Sequence, residues 1–183
     1  RDLAAEGLFE YGSRVGFWRV HRALQERCIP ATMFACAVAL ERNPQITAAI
    51  VDAGYDVCSH GYRWVNHRTM NEQDERRQIA LVEHGGFLYD SDAYNDDLPY
   101  WADVGGSAHL VVPYSLTTND AKLFDMGPRD WAAYIRDAID VLRREGTDRP
   151  AMLSIGLHPR IVGQAARFAG LERVLDRVGG LSD

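Results

Sequence analysis

No apolar run in this chain of 183 residues approaches the length of a membrane span, which needs about 20 consecutive apolar residues. No transmembrane segment is expected. Positive charge is in deficit: 20 Lys and Arg against 26 Asp and Glu leave a formal charge of −6. A nucleic-acid partner requires a basic face, so that class is set aside. Cysteine is scarce and odd in number. Cys28, Cys36 and Cys58 lack the spacing of a metal site, and two of them fall in apolar runs. They are expected to be buried thiols of a reducing compartment, the cytoplasm. The start, Arg1-Asp2-Leu3-Ala4-Ala5-Glu6, lacks the pattern of a secretory leader. There is no internal repeat and no low-complexity segment. What is present is ordinary globular composition, 46% hydrophobic and 25% charged, in a length that suits one domain with a real core.

Helix and strand signals alternate. Ser13 is the expected N-cap of a helix over 14–27, whose Val15, Trp18 and Leu24 share an apolar face. The run 31–37 (ATMFACA) predicts a strand covered on both sides. Asn43 and Pro44 open a helix that ends near Gly54, and a strand then closes at His60. Asn71 opens a charged helix through Glu83, stopped by Gly85-Gly86. Residues 87–90 and 109–114 read as short strands, with an irregular loop from Asp92 to Trp101 between them. Gly127-Pro128 starts an amphipathic helix to Glu145, 151–157 is another buried strand, and 164–178 is the last helix. Such alternation predicts an α/β fold with a parallel sheet, open or closed into a barrel.

In α/β folds ligands bind beyond the carboxyl ends of the strands. His60 and His158 each close an apolar run of that kind, and histidine carries protons near neutral pH or binds metal. Asp90, Asp92, Asp96 and Asp97 follow a third strand. Each has a plainer reading: a satisfied core histidine, or an aspartate that caps a turn. Asp96 and Asp97 fit that plainer reading best. Cys58 lies two residues before His60 on one strand face, so a Cys–His nucleophile is conceivable; a buried inert thiol is the expectation. Arg63 offers a forked donor for a carbonyl or carboxylate. Gly12 to Gly16 lacks the lysine of a phosphate loop and is expected to start a helix.

Five stretches carry a resemblance: 11–18 (YGSRVGFW), 59–64 (SHGYRW), 87–92 (FLYDSD), 96–101 (DDLPYW) and 156–158 (GLH). Together they resemble the polysaccharide deacetylase (NodB-homology) family, and more narrowly its branch of cofactor-independent allantoinases. The resemblance implies a distorted (β/α) barrel that hydrolyses non-peptide carbon–nitrogen bonds, here as one catalytic domain over 1–183. It also implies further segments near 80–84, near 123–127 and beyond both ends. The family's early Thr-Phe-Asp-Asp motif has no counterpart. Its second motif, His-Ser/Thr-x-x-His, meets His60 but then Trp64, whose indole has no lone pair for a metal. His67 is at the wrong spacing. One ligand of a three-ligand zinc site is too few.

The expected activity is therefore hydrolysis of a cyclic amide or ureide, as in an allantoinase of purine catabolism. His60 and His158 are the proton-transfer candidates, Asp90 or Asp92 orients a histidine or the water, and Arg63 holds the carbonyl oxygen. Tyr62, Trp64, Asp97, Tyr100 and Trp101 are the candidate substrate contacts. No cofactor and no metal ligand are expected; a weak divalent ion at His60 is the alternative. Two other functions stay open: a metal-dependent deacetylase of N-acetylated sugars, in carbohydrate metabolism, and a non-catalytic sugar-binding relic. The expected partner is a small-molecule substrate, with no nucleic acid, no membrane and a homo-oligomeric state.

Overall fold

The computed structural model describes residues 2–63, 71–73 and 87–181. Its contacts divide the chain into two compact units, Pro30–Asp90 on one hand and Arg1–Ile29 with Ser91–Asp183 on the other.

The unit Pro30–Asp90 is built on a strand–helix–strand crossover. Strand β1 (Thr32–Ala35) pairs in parallel with β2 (Asp56–Ser59), Thr32 opposite Asp56 and Ala35 opposite Ser59. Helices α1 (Ala37–Arg42) and α2 (Pro44–Asp52) connect them. Pro44 takes the first helical position, where its missing N–H costs nothing. Gly54, at φ 64°, ends α2, and Ile50 and Tyr55 bury the turn. The sequence predicts strands covered on two sides, and these are not: Phe34 and Val57 are exposed. β1 alternates exposed Thr32 and Phe34 with half-buried Met33 and Ala35, the period-two pattern of a strand with one covered face. Nor are the cysteines buried. Cys28 is exposed, Cys36 and Cys58 are half-buried, and none of the three is in a disulfide. A third short strand, β3 (Tyr89–Asp90), ends the unit. Of the helix expected from Asn71, all but 71–73 lies outside the described residues, as do Trp64, His67 and the junction at 80–84.

The other unit begins with α3 (Leu3–Tyr11), capped by Asp2, whose Oδ1 accepts from the N–H groups of Ala4 and Ala5. Ser13 is not a cap. The helix runs on through a π-helical turn, Gly12–Gly16, into α4 (Phe17–Glu26), and the Ser13 hydroxyl donates to the Glu10 carbonyl. Continuation of the helix outweighs the capping signal. Helix α5 (Pro128–Glu145) buries Trp131, Ala132, Ile135 and Ile139, spaced three and four apart, against Gly170, Leu171, Val174 and Leu175 of α6 (Ala165–Gly179). Burying each large side chain contributes about 1.5–3 kcal/mol. The half-exposed ion pair of Arg177 with Asp140 is screened by water and contributes little. Apolar packing therefore holds the two helices together.

Two departures from expectation shape this unit. Residues 100–101 are not loop. Strand β4 (Tyr100–Val104) pairs antiparallel with β5 (Ser107–Val111), Trp101 opposite Leu110. The turn is Gly105-Gly106, both at positive φ (61° and 85°), as a two-residue hairpin loop of this hand requires. The stretch 151–157, expected to be a buried strand, forms no strand and is at most half-buried. Its polar groups are met by single bonds, chiefly to the segment at 115–120, so no ladder develops.

Candidate active site

The residue that organises the site is Asp120, in the 3-10 turn Asp120–Phe124. Its side chain is fully buried, and an unpaired buried carboxylate would cost several kcal/mol. Here both oxygens are used. Oδ2 accepts from the backbone N–H of His158 (2.8 Å) and of Val162 (3.1 Å), and Oδ1 meets Nδ1 of the His158 ring at 2.7 Å. His158 occupies the N-cap position of the one-turn helix α7 (Pro159–Val162), and its own side chain makes no cap bond. Asp120 supplies that cap from 38 residues away.

The surroundings fix this pair. The Asp120 N–H donates to the Gly156 carbonyl at 2.8 Å. Ser115 and Ser154 exchange bonds, each hydroxyl accepting from the other's N–H, at 2.6 and 3.1 Å. The Thr118 hydroxyl donates to the Ser154 carbonyl. Gly156 has no room for a side chain, since a Cβ would lie 1.7 Å from the Tyr114 hydroxyl. That hydroxyl accepts from Asn119 Nδ2 at 2.6 Å. Burial raises the Tyr114 phenol above its usual range, and the Asp120 charge adds to the rise against the bond from Asn119. Arg160, whose guanidinium lies 4.7 Å from the Phe9 ring centre, is lowered by burial, and the Asp120 charge opposes this.

A carboxylate at Nδ1 places the hydrogen there and leaves the lone pair on Nε2. The ring is 33% exposed. Its free edge is therefore a proton acceptor, and once protonated a donor, with a fixed orientation.

The expected site residues fall in both units. His60 is exposed just beyond β2; its N–H donates to the Ala35 carbonyl at 3.0 Å and its carbonyl accepts from Cys36 Sγ at 3.2 Å. Arg63 and Tyr62 are exposed, and the Tyr62 hydroxyl reaches Glu41 at 3.4 Å. Trp64 lies outside the described residues. Asp90 is exposed at the end of β3. Asp92 is exposed in the other unit, where His158 also lies. Asp97 is exposed, and its carbonyl accepts from the Met152 N–H at 2.7 Å, at the start of the stretch that leads to His158. Asp96 turns the chain, accepting from the N–H groups of Asp97 and Leu98. Tyr100 is half-buried on β4 with its hydroxyl 3.1 Å from Asn95, and Trp101 is exposed. Tyr89 is not singled out by the sequence. It donates to Asp56 at 2.6 Å, and burial, then that bond, push its phenol well above the usual range. Sequence reasoning misses Asp120 as well. Its signal is Asn119-Asp120 beyond the strand expected at 109–114, the same carboxyl-end position that singles out the histidines.

Comparison with known proteins gives a consistent result. The chain matches the model of the polysaccharide deacetylase family over residues 7–84. It is 33% identical over 229 residues to a Schizosaccharomyces pombe protein classed with the polysaccharide deacetylases, covering 97% of this chain and 71% of that one. It is 28% identical over 151 residues to the peptidoglycan deacetylase of Helicobacter pylori, covering 65% of this chain and 50% of that one. The crystal structure of PuuE allantoinase superposes with a TM-score of 0.93 at 39% identity, over 100% of this chain and 72% of that one. A Pseudomonas aeruginosa PAO1 structure assigned to the polysaccharide deacetylases superposes with a TM-score of 0.92 at 40% identity, again over 100% and 72%. The α/β fold of NodB-homology type expected from the sequence is the fold of these relatives.

Proposed function

This chain belongs to the polysaccharide deacetylase family and is a carbon–nitrogen hydrolase, and from that premise we propose that it opens a small cyclic amide or ureide, as in allantoin hydrolysis. One observation carries the reading: the bond between buried Asp120 and His158, which gives the imidazole one free, oriented nitrogen. Hydrolysis needs a proton taken from the attacking water and returned to the leaving nitrogen as the C–N bond breaks. His158 Nε2 is assigned both transfers, and Asp120 holds the ring for them. His60 is assigned as a second proton-transfer residue, Arg63 as donor to the developing oxyanion, and Asp90 and Asp92 as orienting carboxylates.

The family implies a metal. The described residues do not fit one. Among the described residues no three His, Cys, Asp or Glu side chains gather as a metal site needs. Trp64 stands where the family's second histidine would be. The likeness to PuuE allantoinase supports a ring amide. Among the described residues no helix is long and apolar enough to cross a membrane. Three cysteines outside any disulfide support a reducing compartment, the cytoplasm, and the likeness to PuuE allantoinase supports a role in purine catabolism on a small molecule.

The equally strong likeness to the Pseudomonas aeruginosa structure favours a second reading, deacetylation of N-acetylated sugars. The deciding assay offers purified protein allantoin, hydantoin and dihydrouracil beside N-acetylglucosamine oligomers. Ring opening supports the first reading. Turnover of the oligomers alone replaces it with the second, and turnover of nothing leaves a sugar-binding relic.

A further inference from the structure

We propose that the π-helical turn Gly12–Gly16, with Tyr11 and Arg19 on either side of it, is the positioning device for His158. The proposal rests on the role assigned to His158 above.

The turn lies directly against α7, the one-turn helix that His158 opens, and the contact is backbone on backbone. A Cβ on Gly16 would lie 2.0 Å from the Pro159 carbonyl oxygen. A Cβ on Gly163 would lie 2.2 Å from the same oxygen and 2.4 Å from the Gly16 Cα. A Cβ on Gly12 would lie 3.0 Å from the Arg160 Cβ and 3.1 Å from its N. Backbone cannot swing aside as a side-chain tip can, so these three glycines set how closely α7 seats. The far end of α7 is clamped by hydrogen bonds. The Gly163 carbonyl accepts from the Tyr11 hydroxyl at 3.1 Å and from Arg19 Nη1, and Arg19 Nη1 also donates to the Tyr11 hydroxyl at 3.0 Å.

The π turn is what makes this clamp possible. Two α-helical turns hold about seven residues. The wider π turn, closed by the Phe17 N–H on the Gly12 carbonyl, takes in one residue more. Tyr11 and Arg19 are eight apart, and so return to one face and one acceptor. Asp120 then fixes α7 at its start, through the N–H groups of His158 and Val162. With Asp120 on one side and the glycine contact and clamp on the other, the His158 backbone has no freedom to re-aim Nε2. Misplacing a reacting group by about an ångström can cost on the order of 10²-fold in rate.

The test follows the His158 imidazole nitrogens by NMR in the whole protein, together with allantoin kinetics, in Gly16→Ala, Arg19→Ala, Arg19→Lys and Tyr11→Phe. The expected result is a displaced His158 Nδ1–H signal in Gly16→Ala and Arg19→Ala. With it, kcat falls about 10²-fold and roughly tenfold respectively while KM holds within about twofold. Arg19→Lys, which still donates to the Gly163 carbonyl, recovers most of the loss. Should Gly16→Ala not fold, Arg19→Ala and Tyr11→Phe decide. A lowered melting temperature with the His158 signal and kcat unchanged overturns the proposal. A displaced signal with unchanged kcat upholds the positioning and overturns the role given to His158. If wild-type protein leaves allantoin untouched, the NMR result alone decides the positioning.

Discussion

Asp120 Oδ1 lies 2.7 Å from His158 Nδ1, with the carboxylate fully buried and the imidazole one-third exposed. The carboxylate is thus shielded from competing water, while part of the imidazole stays open to solvent.

Replacing the carboxylate alone separates these roles. Asp120→Asn keeps the size but puts a donor where acceptors are needed. Turnover is expected to fall by roughly 10²- to 10⁴-fold, the scale of losing an oriented general base. Stability should fall by about 1–3 kcal/mol, since backbone N–H groups lose a charged acceptor. Steady-state kinetics and urea unfolding measure the two. Wild-type kcat in the Asp120→Asn variant would remove Asp120 from the site.

The histidines answer a different question. His158→Ala and His60→Ala should each lower turnover by roughly 10²-fold or more with the circular dichroism spectrum retained. Full activity in either variant would strike that residue from the mechanism.

Gly156 gives a stability test. In Gly156→Ala the new methyl collides with the Tyr114 hydroxyl, and overpacking of this kind costs about 1–3 kcal/mol. Tyr114→Phe removes the colliding oxygen. The double variant should be more stable than the sum of the singles by roughly 1 kcal/mol. Strict additivity would mean that the crowding is relieved elsewhere.

Alkaline pH should act through Tyr89 and Tyr114. Both phenols are raised by burial above their ordinary value of 10.0. A raised folded value means that the unfolded chain releases its proton first. The stability is complete below pH 10 and drains away as pH climbs toward the folded values. Unfolding free energy measured above that pH should decline less steeply in Tyr89→Phe and Tyr114→Phe. Equal slopes in all three proteins would contradict the two raised phenols.

Metal analysis tests the donor set. Protein purified without added zinc is expected to carry far less than one equivalent, and a chelator should leave activity intact. One tightly held zinc per chain with His60 among its ligands would restore the deacetylase reading.

Much of the local structure is legible because its causes are local. Pro44 and Gly54 bound one helix, Pro128 and Gly146 another, and both helices lie where those residues place them. The turn Gly105-Gly106 is equally local, yet without it Tyr100 and Trp101 read as loop. The stretch 151–157 misleads for a physical reason: an apolar run does not by itself make a ladder, and here its hydrogen bonds are scattered over Asp97, Ser115, Thr118 and Asp120. His158 can be found from its place after that run. Its partner cannot be found by spacing, because Asp120 lies 38 positions before it, with all of α5 between them. The π turn is likewise invisible to periodicity, since glycine contacts leave no apolar pattern.

The meeting of Gly16 with Gly163 also limits how this sequence can drift. A core position such as Leu171 can exchange for a side chain of similar volume at a cost usually below about 1.5 kcal/mol. Gly16 has no such neighbour in sequence space: every alternative carries at least a Cβ, and the Pro159 carbonyl occupies its place. Gly163 faces the same limit from the other side, so two positions far apart in the chain are held to glycine by a single contact.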